Sequence, residues 1–413
     1  HCTIFTISES PRDKKVIWVG TDDGNVQVTE NDGGKWRLAS DALPGLPPAT
    51  WISCVEASPH DRATAFVTAD GHRSGDRTPY LYVTRDLGRS WESLATPDIS
   101  GYCHVVRQDP VNPDLLFLGT EAGLYITLDG GRHWARFAEE FPPVSVRDMV
   151  FQPRESSLVL GTHGRGIWII DDVTPLRELT AAALAAPLTL FASRPAVLRT
   201  PTWTQHSPGD THYAAGNPSS SARIVYYMTK RHMFGELKVE IFDAEGELLK
   251  TLPGGKRKGL NIVSWSPRLK PPKVAPSPVL DPSTSFAGAV GPAAPEGEYA
   301  YRLTKGKDTY EGTVAVTYDP DFPHAPADRA QQQRTVQELY DMLARLAYVA
   351  DAVTEARDAA LERAEGLAED DDLAVRLRGF ADDLDGLHGG LMVTEQVQGI
   401  SGRSELREKL VSC

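Results

Sequence analysis

Cysteine is scarce in this chain, with four among 413 residues: Cys2 and Cys413 near the two ends, and Cys54 and Cys103 inside apolar, strand-like runs. So few and so placed, they imply no disulfide framework, and a small buried thiol is the plain reading of the inner two. Whether any of the four pair is left open by the sequence. No apolar run approaches the length that a membrane-crossing helix needs, so no membrane span is expected. Basic residues are outnumbered, 43 Lys and Arg against 56 Asp and Glu, giving a formal charge of −13 and a pI of about 5.4. Nucleic acid is therefore not the expected partner, because phosphate binding wants a basic face. Also missing are a nucleotide-binding glycine loop, a zinc-ligand spacing, a Gly-x-Ser-x-Gly elbow and a Cys/His pair, so neither a cofactor nor a metal is expected. The chain opens directly in a strand pattern with no charged leader, and targeting information is expected to lie upstream.

What the chain does have is a repeated turn. Thr127 to Trp134 reads Thr-Leu-Asp-Gly-Gly-Arg-His-Trp, Thr84 to Trp91 reads Thr-Arg-Asp-Leu-Gly-Arg-Ser-Trp, and Thr29 to Trp36 reads Thr-Glu-Asn-Asp-Gly-Gly-Lys-Trp. All share Thr-x-Asp/Asn-x-Gly-x-x-Trp. An Asp or Asn at the third place can fold back onto nearby backbone N–H groups, the glycine at the fifth can take a positive φ, and the Trp can clamp over the turn. Asn31, Gly33 and Trp36, Asp86, Gly88 and Trp91, and Asp129, Gly131 and Trp134 are thus read as structural.

A proline-marked turn recurs at Pro11, Pro59, Pro110 and Pro153, at steps of 48, 51 and 43 residues. Each follows an apolar run and precedes a second run that ends in a glycine bend, such as Phe117 to Gly123 and Val159 to Gly166. Strand, turn, strand, bend, strand and boxed hairpin in one fixed order describe the blade of a β-propeller. The fourth unit ends at Asp171-Asp172 without a box, so its outer strand is missing, and earlier blades are expected upstream.

After a linker at 176–187, six short strand patterns between Ala222 and Tyr318, with a hairpin turn at Asp243 to Gly246, predict an immunoglobulin-like β-sandwich over 188–320. A Pro- and Ala-rich loop at 266–295 interrupts it. Apolar steps of three and four from Val336 to Val353 and from Leu373 to Leu387 predict a helical hairpin within 326–413. The fold class is mainly β: a partial propeller of about four blades at 1–175, a sandwich, and a helical tail.

The boxed turn resembles the Asp-box, or bacterial neuraminidase repeat, of sialidases, xyloglucan hydrolases, sortilin-type receptors and photosystem assembly propellers. Phrases such as Ile52 to Asp61 and Gly161 to Asp172 are similar to a bacterial family of large secreted Asp-box proteins, labelled sortilin-like or glycosyl hydrolase. That resemblance implies an extracellular or periplasmic protein with a glycan or protein ligand. It also implies that the boxes sit away from the ligand face, leaving the bends between second and third strands to carry the site.

Those bends offer Asp22 and Asp23, the long loop with His72, Arg73 and Arg77, Glu121, and His163 with Arg165. Glycines bracketing Arg165 would let its guanidinium reach a carboxylate or a sugar hydroxyl, or would simply make the bend while Arg165 pairs with Asp171 or Asp172. Asp22 and Asp23 read as oxygen ligands or as a polar turn. A long loop on a rigid scaffold carries recognition or is a tolerated insertion. Glycoside cleavage needs two carboxyl groups at a set separation, one with a raised pKa. The sequence singles out no such pair, so catalytic residues are unassigned. A binding module is the leading expectation, an Asp-box glycoside hydrolase the alternative, and the oligomeric state is open.

Overall fold

The computed structural model describes all residues except 1, 139–140, 200–218, 276–289, 322, 394–404 and 413. The protein is mainly β and divides into two units, His1–Ala186 and Pro187–Cys413.

The first unit is a series of antiparallel sheets, each built from consecutive strands. The first holds β1 (Ile4–Ser10), β2 (Asp13–Thr21), β3 (Val26–Thr29) and β4 (Trp36–Leu38); the second β5 (Trp51–Ala57), β6 (Ala65–Asp70), β7 (Tyr80–Thr84) and β8 (Glu92–Ser93). The third holds β9 (Cys103–Gln108), β10 (Leu116–Thr120), β11 (Gly123–Thr127) and β12 (Ala135–Arg136), and the fourth only β13 (Val146–Gln152), β14 (Ser157–Thr162) and β15 (Ile167–Ile170). Apolar side chains fill the seams between sheets. Trp18, Val28, Ile52, Val67, Tyr82 and Trp91 share one cluster, and Phe66, Leu81, Val106, Leu118, Tyr125 and Trp134 the next.

The boxed turns join third to fourth strands, and their chemistry repeats. In the second sheet Asp86 Oδ1 accepts from Thr84 Oγ1 at 2.8 Å and from the Arg89 and Ser90 amides at 3.0 and 2.9 Å, while Gly88 N donates to Thr84 Oγ1. Asp129 does the same in its turn, and Asn31 Oδ1 accepts from the Thr29 hydroxyl and the Lys35 amide in its own. Gly33, Gly88 and Gly131 all have positive φ, 85°, 78° and 98°, the left-handed region where a side chain is strained.

Two glycines of the second strands serve close approach. A Cβ on Gly20 would lie 2.5 Å from Ile52 Cγ2 of the following sheet, and one on Gly119 would lie 2.7 Å from the Val146 carbonyl oxygen. Gly161, at the same place in the fourth sheet, has nothing nearer than 3.7 Å.

The unit closes on two short helices, α1 (Thr174–Arg177) and α2 (Ala181–Ala185). Arg177 reaches back from α1 to the fully buried Asp109 at 2.9 Å, an ion pair with little water around it.

In the second unit, a three-stranded sheet orders β16 (Leu188–Leu190), β18 (Ala222–Met228) and β21 (Gly259–Trp265). A five-stranded sheet orders β17 (Ala196–Leu198), β23 (Asp308–Tyr318), β22 (Gly297–Lys305), β19 (Leu237–Phe242) and β20 (Leu248–Pro253). Inward residues of both sheets, among them Ile224, Tyr226, Trp265, Val239, Leu303 and Val314, form one core. The strands β16 and β17 are three residues long, too short for an alternation to show, and β17 pairs with β23 in parallel. The middle of the Pro- and Ala-rich loop lies outside the described residues. Its flanks meet in an Arg268–Ala293 bridge. Two long helices follow, α3 (Pro326–Glu365) and α4 (Asp372–Leu391), the latter capped by Asp371, whose carboxylate accepts from Leu373 N at 2.8 Å. A last helix, α5, spans Leu406–Ser412.

Candidate functional site

The first strand of every sheet carries a β-bulge at one place. The pairing register skips Phe5 between Ile4 and Thr6, Ser53 between Ile52 and Cys54, His104 between Cys103 and Val105, and Arg147 between Val146 and Asp148. Each of these residues stands six positions before its turn proline. A bulge turns a side chain away from the pleat it would otherwise follow. Here it groups His104 and Arg147 with Glu121 and Asp70, at the bends between second and third strands.

Around His104 the groups converge. Its Nε2 lies 3.0 Å from Glu121 Oε2, and its Nδ1 lies 3.4 Å from Asp70 Oδ2 and 3.5 Å from the Arg147 guanidinium. Arg147 also donates to Glu121 Oε2 at 3.2 Å. Asp70 closes the second strand of its sheet, only 2% exposed. Its Oδ1 accepts from the backbone N and the ring Nδ1 of His72, at 2.9 and 2.8 Å. Its Oδ2 makes no hydrogen bond.

The electrostatics keep both carboxylates charged. Burial works to raise Asp70, but the nearby His104 ring and the His72 hydrogen bonds outweigh it and hold its pKa below the usual aspartate value. Glu121 behaves alike: burial raises it, and His104 with the Arg147 charge takes it below the ordinary glutamate value.

A row of rings runs away from this cluster. Tyr102 sits 5.6 Å from His104, His72 5.7 Å from Tyr102, Trp51 5.8 Å from His72, and Phe5 4.4 Å from Trp51, centroid to centroid. The Arg73 guanidinium covers Trp51 at 4.5 Å, a cation–π contact. His72 and Arg73 come from a 3-10 turn, His72–Ser74, which their loop forms directly after β6. Phe5 and His72 are open to solvent, with Trp51 and Tyr102 half-buried.

Of the residues singled out from sequence, His72, Arg73 and Glu121 fall in this cluster. Arg77 stands exposed further along the same loop. His163 and Arg165 are exposed in the bend between β14 and β15, where the Arg165 carbonyl accepts from Trp168 Nε1 at 3.0 Å. No carboxylate pairs with the Arg165 guanidinium among the described residues. Asp22 and Asp23 bond their own turn and the segment before β1: Asp22 Oδ1 accepts from Thr3 N at 2.8 Å, and Asp23 Oδ1 takes Asn25 Nδ2 at 2.9 Å, Cys2 Sγ at 3.2 Å and the Thr21 hydroxyl. Cys2, Asp22 and Asp23 do come close enough together to hold a cation, yet every one of them is already engaged in those bonds.

Asp70, Tyr102, His104, Arg147 and Trp51 were not reached from sequence. Strand alternation treats His104 and Arg147 as members of apolar strands. Counting back six residues from each turn proline picks both out.

No family model matches the chain. Over 186 residues it is 26% identical to an oligoxyloglucan-reducing end-specific xyloglucanase of Emericella nidulans, a stretch that takes in 41% of this chain and 23% of that protein. The chain thus spans under a quarter of the length of the curated relative it matches. Among solved structures it is similar to YCF48 from Cyanidioschyzon merolae (19% identity, 40% of this chain and 53% of that one, TM-score 0.32). It is also similar to the GH74 xyloglucanase of Xanthomonas campestris (14%, 76% and 45%, TM-score 0.35) and to YCF48 bound to D1 peptide (12%, 76% and 82%, TM-score 0.30). No helix among the described residues is long and apolar enough to cross a membrane.

Proposed function

We propose that this protein is an Asp-box propeller protein, extracellular or periplasmic, whose first unit binds a glycan along the ring row that ends at His104. The observation that carries the reading is the row itself. Sugar rings present apolar C–H faces that stack on aromatic rings, and hydroxyls that seek charged partners in fixed places. Phe5, Trp51, His72 and Tyr102 supply the stacking surface, and Glu121, Arg147 and Arg73 the polar ends. The similarity to a xyloglucanase suggests a β-linked, branched glucan as the first ligand to try. Arg165, His163, Arg77, Asp22 and Asp23 remain proposed outlying contacts of the same face.

Hydrolysis is the second reading, and one observation favours it. Glu56 on β5 has its pKa raised to about 7, chiefly by burial. Arg107 bridges it to the exposed Asp148 at 3.1 and 3.2 Å. A buried carboxyl with a raised pKa beside a second carboxyl is the kind of pairing that a glycosidase needs. The Asp70 and Glu121 pair lacks it, since both pKa values are lowered. Binding is therefore the better supported activity at the His104 cluster.

Calorimetric titration with xyloglucan oligosaccharides, run beside a reducing-sugar assay, tests both. Binding that falls at least tenfold in Trp51→Ala and in Arg147→Ala, with no sugar released, supports the binding site. Sugar release that disappears in Glu56→Gln replaces it with hydrolysis. Neither binding nor release, on xyloglucan or on a wider glycan panel, overturns the glycan reading.

A further inference from the structure

The second unit has a basic end that stands out in a chain of charge −13. The loop from β18 to β19 brings Lys230 and Arg231, the loop from β20 to β21 brings Lys256 and Lys258, and the turn between β22 and β23 brings Lys305 and Lys307. Hydrogen bonds tie these segments together. His232 N donates to the Lys256 carbonyl at 3.0 Å, Gly306 N to the Glu236 carbonyl at 3.1 Å, and Lys256 Nζ to the Gly235 carbonyl at 2.9 Å. None of the six cations forms an ion pair among the described residues, and the carboxylates in these segments are Glu236 and Asp308.

At the tip of the first loop stand Met233 and Phe234, 62% and 86% exposed. Two adjacent large apolar side chains held out in water lose free energy that nothing in the fold repays. They rim a shallow cavity of about 360 Å³ with Lys230, Arg231, His232 and Lys305. Cations in a ring around an apolar tip match a lipid bilayer surface. The tip enters the boundary between headgroups and acyl chains, and the lysines and arginine meet anionic headgroups. A soluble polyanion would use the cations and leave Met233 and Phe234 idle.

We propose that this end of the second unit docks the protein onto an anionic lipid surface, with Met233 and Phe234 inserted and the six cations at the headgroups. The site is separate from the ring row and does not depend on the glycan reading.

Flotation of the full chain with vesicles tests it, using phosphatidylcholine alone and phosphatidylcholine with about one third phosphatidylglycerol. The chain is expected to float with the anionic vesicles, not with the neutral ones, and less as salt rises. Each cation near such a surface is worth about fivefold in affinity, so Lys256→Ala with Lys258→Ala is expected to cost roughly 30-fold. Met233→Ser with Phe234→Ser, both at exposed positions that leave the fold intact, is expected to abolish flotation. Absence of flotation at low salt overturns the proposal. So does flotation that survives the Met233 and Phe234 changes, which would assign the patch to soluble polyanions, or flotation that is equal on neutral vesicles.

Discussion

The indole Nε1 of Trp91 donates to the Ala39 carbonyl at 3.0 Å, so the boxed turn of one sheet is fastened to the end of the sheet before it. Trp134 repeats the bond one sheet later, to the Leu94 carbonyl at 3.1 Å. Both indoles are buried. Trp36 holds the same place in the first sheet and is 38% exposed. Replacing Trp91 by alanine is expected to cost about 3–5 kcal/mol of stability, and by phenylalanine about 1 kcal/mol, the bond without the bulk. Trp36→Ala should stay within about 1 kcal/mol of the parent. Denaturant unfolding followed by circular dichroism ranks the three; equal losses at Trp36 and Trp91 would show that the carbonyl bond is not what matters.

Gly119 is expected to tolerate no side chain. Alanine there meets the Val146 carbonyl oxygen, a backbone atom that cannot swing aside, so Gly119→Ala should destabilise by about 1–3 kcal/mol. Gly161→Ala, whose Cβ would make only ordinary van der Waals contact with Asp148, should be neutral within about 0.5 kcal/mol. Thermal melts of the two variants decide the point.

Acid should loosen the boxed turns. Hydrogen bonds from Ser90 come first among the causes that lower Asp86, and at Asp129 the His133 bonds overcome the opposing effect of burial; both reach about 2, against an ordinary 3.8. A depressed folded-state pKa means stability that is present above the unfolded value and lost as pH falls through the folded one. Unfolding midpoints measured from pH 5 to pH 2 should therefore drop between about 4 and 2. Asp86→Asn with Asp129→Asn should flatten that drop, and an unchanged slope would place its origin elsewhere.

Glu56 works in the other sense. Its folded pKa of about 7 lies above the ordinary glutamate value of 4.5, so ionising it costs more in the folded protein, and stability should decline as pH rises from 4.5 to 7. Glu56→Gln should remove that decline. The measurement is the unfolding midpoint across pH 4 to 8, and a parallel decline in the variant would clear Glu56 of responsibility.

Asp70→Asn should weaken ligand binding without touching a ligand. The carboxylate holds the His72 ring at 2.8 Å, and His72 lies between Trp51 and Tyr102 in the ring row. Losing the charge leaves His72 free to turn, and the affinity measured for Trp51-dependent binding is expected to fall several-fold, further than in Arg77→Ala. Equal effects at both positions would argue that the loop, not the ring, is at stake.

The elements marked by punctuation were legible. Each of Pro11, Pro59, Pro110 and Pro153 falls between the first and second strands of its sheet, and the glycine bends fall where the second strand passes to the third. Strands six to eleven residues long in the second unit showed their alternation. Leu188–Leu190 and Ala196–Leu198 did not, because three residues hold too little pattern. The site was legible only in part. His72 and Arg73 announced themselves through an unusually long loop, and Glu121 through its bend. His104 and Arg147 were hidden because a bulge breaks the period-two rule at the residue of interest, and Asp70 because an acid closing a buried strand looks like the start of a turn.

Reading the four registers side by side has one more outcome. Ile4 and Ile7 in the first sheet are 57% and 65% exposed, while their counterparts seven and four residues before the later prolines, Ile52 and Val55, Cys103 and Val106, Val146 and Met149, are all buried. The second, third and fourth sheets thus bury against a neighbour the side chains that the first leaves in the open, and the second and third add the backward-reaching indole. A cut inside a period would strand an indole without its carbonyl, as at Trp91 and Ala39, so the period from one turn proline to the next is the length at which the packing closes on itself.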